Sequence, residues 1–136
     1  MNYDYVFDLP LPPSVNKLYF KGRILTPIGR QFCSYVKENC KIDKTITSKL
    51  RMDVVMFPAN GHKRDVDNIL KCLMDSFTKA GIYQDDKLIY DLNVTKGDIF
   101  KGGACVVGLK VLEDDFQKKI VYIPGHPLDC LQSYSL

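Results

Sequence analysis

A chain of 136 residues with 46% hydrophobic and 26% charged residues has the composition of one ordinary globular domain, which excludes a disordered or collagen-like protein. It has no apolar run of the roughly 18–20 residues that a membrane span needs, and no basic-then-apolar secretory signal, so we expect a cytoplasmic protein without a membrane partner. The net charge is +3, but residues 1–64 carry eleven basic against five acidic residues, whereas residues 65–91 carry three against six.

The first half of the chain predicts strand, helix and strand. Residues 3–9 alternate loosely as a strand does, until a proline-rich stretch at 10–13 ends the pattern. Thr26 followed by Pro27 is typical of an N-cap and first helical position, which predicts a helix to about residue 40. Alternating apolar residues then predict a strand over 49–57.

The second half predicts one helix and two strands. An apolar stripe over residues 68–80 indicates a helix, with Asp67 or Asn68 as its cap and Gly81 as its end. Strands are expected over 87–96 and 104–112. The fold class is therefore α/β (α+β), a small single domain in which two main helices pack on a mixed β-sheet. Residues 113–136 form an extension expected to pack on the body or on a partner chain.

The cysteines indicate no disulfide framework or zinc site, because there are five of them and no Cys-x-x-Cys pair. We expect free thiols in a reducing compartment. Cys72 lies in an apolar helical pattern and Cys105 in a strand-like one, so both are predicted to be small core residues.

The acidic segment predicts a metal site. Asp67 and Lys71 are four residues apart on the opening turns of the second helix, so their side chains are expected to share a face. Asp65 precedes that helix, and Asp86 joins the group if the following strand returns alongside. Carboxylate oxygens of this kind hold Mg²⁺, which serves phosphate chemistry. Lys71 would partly neutralise the acids and assist the leaving oxygen.

Ordinary structural roles explain the same residues. Asp67 alone is a suitable helix cap, and with Lys71 it makes an exposed pair worth about 0.3–0.5 kcal/mol. Asp85 and Asp86 are common turn residues. Asp75, two turns beyond Asp67, is expected to be a structural or supporting acid.

Basic residues of the first half of the chain predict a surface that follows a phosphate backbone. The candidates for this DNA-binding surface are Lys17, Lys21, Arg23, Arg30, Lys63 and Arg64.

Several separated motifs resemble one known family. Residues 64–71, Arg-Asp-Val-Asp-Asn-Ile-Leu-Lys, are similar to the Arg-Asp-Leu-Asp-Asn-Leu-x-Lys core motif of the RusA family of Holliday junction resolvases. The match continues through Asp75 and the Ala-Gly-Ile-Tyr sequence at 80–83 to Asp85-Asp86. The opening Leu-Pro-Leu-Pro-Pro-Ser-Val-Asn at 9–16 also resembles that family. The match spans roughly residues 5–112, so the resemblance implies an endonuclease domain over 1–112.

The resemblance implies a homodimer that cuts four-way DNA junctions by paired symmetric nicks, with Mg²⁺ as cofactor, Mn²⁺ as a substitute and no small-molecule cofactor. The family's catalytic acids fall on Asp65, Asp67 and Asp86, and its catalytic lysine on Lys71. Asp85 is a weaker candidate for the metal shell. Two alternatives stay open: a nuclease for flaps or other branched DNA, and a junction-binding accessory protein whose acids no longer act.

Overall fold

The computed structural model describes residues 2–14, 17, 19–20, 24–61, 66–113, 120–121 and 132–133. Its helices are α1 (Pro27–Asn39) and α2 (Leu70–Lys79), and 3₁₀ turns cover Val66–Ile69 and Asp86–Leu88. The strands are β1 (Tyr5–Leu9), β2 (Tyr19–Phe20), β3 (Ile24–Leu25), β4 (Leu50–Phe57), β5 (Ile89–Lys96), β6 (Ala104–Val111), β7 (Ile120–Val121) and β8 (Gln132–Ser133).

Four strands form a mixed sheet in the order β1-β6-β4-β5. β6 is antiparallel to both β1 and β4, whereas β4 and β5 are parallel. A parallel pair needs a long crossover between its strands, and α2 lies in that crossover. The predicted mixed sheet with two main helices is thus confirmed.

Two short strand pairs lie outside this sheet, β2 with β3 and β7 with β8. The second pair is all that is described beyond residue 113, so the packing of residues 113–136 stays a prediction. None of the helices in the described part of the chain is both long and apolar enough to cross a bilayer.

Helix α1 begins as the sequence predicts. The Thr26 hydroxyl accepts the Gly29 amide at 3.2 Å, and Pro27 occupies the first turn, where no intrahelical partner for its nitrogen is needed. Phe32 and Val36 bury one face, and the helix ends before Cys40.

The core lies between the two helices and one face of the sheet. Alternate residues of β4 are completely buried, and α2 contributes Leu73 and Phe77. Cys72 and Cys105 are fully buried, as predicted, and burial raises the pKa of each thiol to about 12. They therefore remain neutral packing groups.

The opposite face of the sheet carries a polar network. The Asp53 carboxylate accepts hydrogen bonds from the Tyr3 hydroxyl, from Arg51 Nε at 2.9 Å and from the Asn93 amide at 3.0 Å. Asn93 also donates to Asp91 at 3.0 Å. Burial alone would raise the pKa of Asp53, but these hydrogen bonds outweigh it and lower the pKa.

Candidate active site

The chain enters α2 through a 3₁₀ turn, which corrects the predicted cap. The N-cap residue is Ile69, which makes no capping bond through its side chain, and Asp67 is exposed inside the preceding turn. In a continuous α-helix, residues four apart are offset by roughly 40° around the axis. The tighter 3₁₀ winding widens that offset to roughly 80–100°. Asp67 and Lys71 therefore do not share a face as closely as predicted.

Lys71 pairs with the acid one turn further along the helix. Its ammonium donates to Asp75 Oδ2 at 3.2 Å, and the Tyr19 hydroxyl donates to the same oxygen at 3.2 Å. The ammonium also lies 5.6 Å from the centre of the Tyr19 ring. The hydrogen bond to Asp75 is the main reason that the pKa of Lys71 is raised. Lys71 is thus held as a cation.

The second acidic pair opens the 3₁₀ turn before β5. Asp85 caps this turn by accepting the Lys87 amide at 3.0 Å, and this bond is the main reason that the pKa of Asp85 is lowered. The pKa of Asp86 is raised, first by its partial burial and then by Asp85 and the charge of Asp75. The Lys71 ammonium acts in the opposite direction.

These mutual effects place Asp86 within electrostatic reach of Lys71 and Asp75, although it follows α2 in the chain. The 3₁₀ turn that carries Asp86 packs on α2 because β5 returns beside β4. This convergence is the geometry that the sequence analysis required for one site. It brings together Lys71 and Asp86, with Asp85 adjacent and Asp67 in the turn that precedes α2.

Asp65, Lys63, Arg64, Lys21 and Arg23 lie outside the described residues. Across the described ranges, no three His, Cys, Asp or Glu side chains are grouped closely enough to hold a metal ion on their own. A complete ligand set therefore needs Asp65 or a substrate phosphate in addition to the described acids.

Of the predicted basic residues, Lys17 and Arg30 are described, and both are exposed. Arg30 lies on α1, and its guanidinium donates to the Leu25 carbonyl at 2.8 Å, which orients it beside the β2–β3 pair. Lys21 and Arg23 fall in the three residues that join β2 to β3.

Tyr19 is a site residue that the sequence analysis missed. It is 56 positions from Asp75, and no local pattern connects them. Asp75 could be found more easily, because its spacing of four from Lys71 is the spacing of an ion pair on a helix.

Comparison with protein families identifies the chain, since the model of the endodeoxyribonuclease RusA family matches residues 20–108. The chain belongs to the RusA family. The RusA match extends from the second residue of β2 into β6, so it begins one residue after Tyr19. It includes the lysine and all the described acids of the site. The family resemblance is confirmed, and as a RusA-family protein the chain is an endodeoxyribonuclease.

Named RusA relatives cover most of the chain. It is 34% identical to the crossover junction endodeoxyribonuclease rusA of Enterobacteria phage HK97, over 81% of this chain and 95% of that protein. It is 29% identical to the enzyme of the same name from a strain of Escherichia coli, over 82% of this chain and 98% of that protein. A Shigella sonnei relative is 30% identical over 73% of this chain and 88% of its own length.

Proposed function

We propose that this endodeoxyribonuclease resolves Holliday junctions by paired symmetric nicks during DNA recombination and repair, in a Mg²⁺-dependent reaction. The observation that carries this proposal is that the 3₁₀ turn at the end of the crossover packs on α2, which brings Asp86 within electrostatic reach of Lys71 and Asp75. The names of its relatives, crossover junction endodeoxyribonucleases, support the choice of substrate.

The donor set suits a hard divalent cation. Asp86 lies beside two other carboxylates, those of Asp85 and Asp75, and Lys71 supplies the opposing positive charge. The pKa of Asp86 is raised first by its partial burial and then by these negative neighbours. Carboxylate oxygens are the ligands that Mg²⁺ prefers, and Mn²⁺ accepts the same ligands. We assign Asp65, Asp67 and Asp86 as the residues that would hold the ion, with Asp85 as a further ligand.

When bound, Mg²⁺ supplies neutralisation of the scissile phosphate and a lowered pKa for an attacking water. The remaining chemistry belongs to the side chains. The Lys71 side chain is 53% exposed, so its ammonium can reach a phosphate oxygen and offset the charge that develops on the leaving group. Lys17 and Arg30 would contact the phosphate backbone, together with Lys21, Arg23, Lys63 and Arg64.

A homodimer has the two-fold symmetry that a four-way junction requires of its nuclease. Resolving a four-way junction needs two symmetrically related nicks, and a two-fold dimer carries two sites related in the same way. We therefore propose that the active form is a dimer of this chain, and that each protomer cuts one strand.

Cleavage of a fluorescently labelled synthetic four-way junction tests the assignment. Wild type should produce paired nicks with Mg²⁺, while Asp67→Asn and Asp86→Asn should give no detectable cleavage. Both variants should still bind the junction in EDTA, because basic residues and not these two acids are assigned to contact the phosphates. The matched control is Asp43→Asn, which neutralises an exposed acid between α1 and β4 and should cut like wild type.

Other outcomes would assign another function. Faster cleavage of flaps than of four-way junctions by wild type would indicate a general nuclease for branched DNA. Tight junction binding without cleavage of any substrate would indicate an accessory protein. Equal junction cleavage by wild type and Asp67→Asn would refute the assigned site.

A further inference from the structure

We propose that Asp75 and Tyr19 are positioning residues that fix the Lys71 ammonium at the scissile phosphate, with Asp75 acting through Lys71 and not as a metal ligand. This inference rests on the proposed function, in which Lys71 assists the leaving oxygen.

The three side chains form a closed contact set. The Lys71 ammonium and the Tyr19 hydroxyl both donate to Oδ2 of Asp75, each at 3.2 Å. The face of the Tyr19 ring lies 5.6 Å from the same ammonium, within the range of a cation–π contact. Lys71 is thus held by an acceptor on its own helix and by a ring on β2.

Helix stability alone does not explain this pair. Lys71 is the second residue of α2, where the partial positive charge of the helix N-terminus disfavours a cation. The order of lysine before acid is also the less favourable one for a pair at i and i+4. The tyrosine hydroxyl adds a bond from a distant element that an ordinary surface pair does not need. We infer that the arrangement serves the position of the ammonium.

Restricting the motion of the Lys71 side chain would place its ammonium where the reaction needs it. Its four-carbon chain carries about 2 kcal/mol of rotamer entropy, and the Lys71 side chain is 53% exposed. A mobile ammonium would spend little time at the leaving oxygen, so anchoring it raises the rate of the chemical step and not the affinity for DNA. Removing the partners that orient metal ligands typically costs about 10–100-fold in metal affinity or activity, and we expect a loss at the lower end of that range for the partners of Lys71.

The experiment is a double-mutant cycle between residues 75 and 71, measured as single-turnover junction cleavage and as junction binding in EDTA. Asp75→Asn should slow cleavage about tenfold and leave the dissociation constant within twofold of wild type. Tyr19→Phe should slow it about two- to fivefold. In a Lys71→Met background, Asp75→Asn should change the residual rate by less than twofold, because the group it positions is gone.

Conservative replacement separates positioning from a purely structural role. Asp75→Glu retains the charge and should cleave faster than Asp75→Asn. If Asp75 instead binds the metal, Asp75→Asn will still slow cleavage in the Lys71→Met background and will raise the Mg²⁺ concentration needed for half-maximal rate. Either that result or a wild-type rate for Asp75→Asn would overturn the inference.

A measurement without cleavage keeps the inference distinct from the proposed function. In ¹⁵N-labelled, metal-free protein, an ion-paired Lys71 ammonium should give a resolved NMR signal, assigned by its loss in Lys71→Met. The signal should broaden through exchange with water in Asp75→Asn. A sharp, unshifted signal in that variant would refute the anchoring of Lys71 even if the wild type cleaves junctions. Loss of the signal in that variant would support it even if the wild type cleaves only other DNA.

Discussion

Replacing Asp86 with Asn should remove cleavage and, at the same time, stabilise the metal-free fold. Asp86 is partly buried beside Asp85 and Asp75, and its raised pKa shows that its ionised form is disfavoured there. In the absence of a divalent ion, the ionised carboxylate therefore lowers the free energy of unfolding. The amide of Asn has nearly the same shape and no charge, so it removes this destabilisation.

The expected gain follows from counting the charges around Asp86. Two carboxylates repel it and one ammonium attracts it. Each exposed or half-exposed pair contributes about 0.3–0.5 kcal/mol, so one unbalanced repulsion remains. Partial desolvation adds to it, and we expect a total gain of about 0.5–1 kcal/mol. For a chain of this size that corresponds to a rise in Tm of about 2–4 °C.

Urea denaturation measures the free energy of unfolding in EDTA and the additional stabilisation by Mg²⁺. In EDTA, Asp86→Asn should unfold at higher urea than wild type, with an unchanged slope. At a Mg²⁺ concentration ten times its dissociation constant, wild type should gain about 1.4 kcal/mol, and the variant should gain much less. Asp43→Asn should follow wild type in both buffers. If Asp86→Asn is less stable than wild type in EDTA, the electrostatic reasoning is refuted.

Four further predictions concern stability and DNA binding. Thr26→Ala should lower the free energy of unfolding by about 1 kcal/mol, because the Gly29 amide loses its acceptor, and Thr26→Ser should restore it; an unchanged urea midpoint would contradict the cap. Leu73→Ala should cost about 2–5 kcal/mol in the same assay, because it leaves a cavity under the sheet. The pKa of Asp53 is lowered in the fold, so its ionised form stabilises the protein above about pH 4, and this contribution is lost as the pH falls through the folded pKa. Asp53→Asn should therefore be less stable than wild type at pH 7, and the two free energies of unfolding should converge in acid. Arg30→Ala should reduce the slope of log junction affinity against log salt by about 1, whereas a steeper or unchanged slope would remove Arg30 from the phosphate surface.

Most of the fold was predictable, because its elements carry local signals. The Thr26-Pro27 start of α1, the alternation along β4 and the glycine that ends α2 are each set by one short stretch of sequence. Gly81, with φ of 76°, adopts the left-handed conformation expected at that position. The pairing of β2 with β3 was not predicted, since two strands of two residues give no periodicity.

The site was harder to predict, because its contacts depend on helix phase and on distant elements. Lys71 has an acid four residues away on each side, Asp67 and Asp75, and the order of charges along a helix favours the pair with Asp67. Lys71 and Asp75 pair within α2, whereas the 3₁₀ turn before the helix changes the angle at which Asp67 leaves the axis. Nothing in the local sequence distinguishes such a turn from a first α-helical turn. The sequence analysis made the approach of Asp86 to Lys71 conditional on the return of β5. The parallel pairing of β5 with β4 confirms that return.

The order of the strands suggests that the protein could be divided into two fragments that are active only when they associate. One continuous stretch of chain, ending before β5, carries Asp67, Lys71 and Asp86. β6 follows the exposed turn at Gly102 and lies between β1 and β4 in the sheet. A chain divided at Gly102 would leave all three proposed catalytic residues on one fragment and a central strand of the sheet on the other. Neither half alone could complete the core, so nuclease activity would report the reunion of the two fragments.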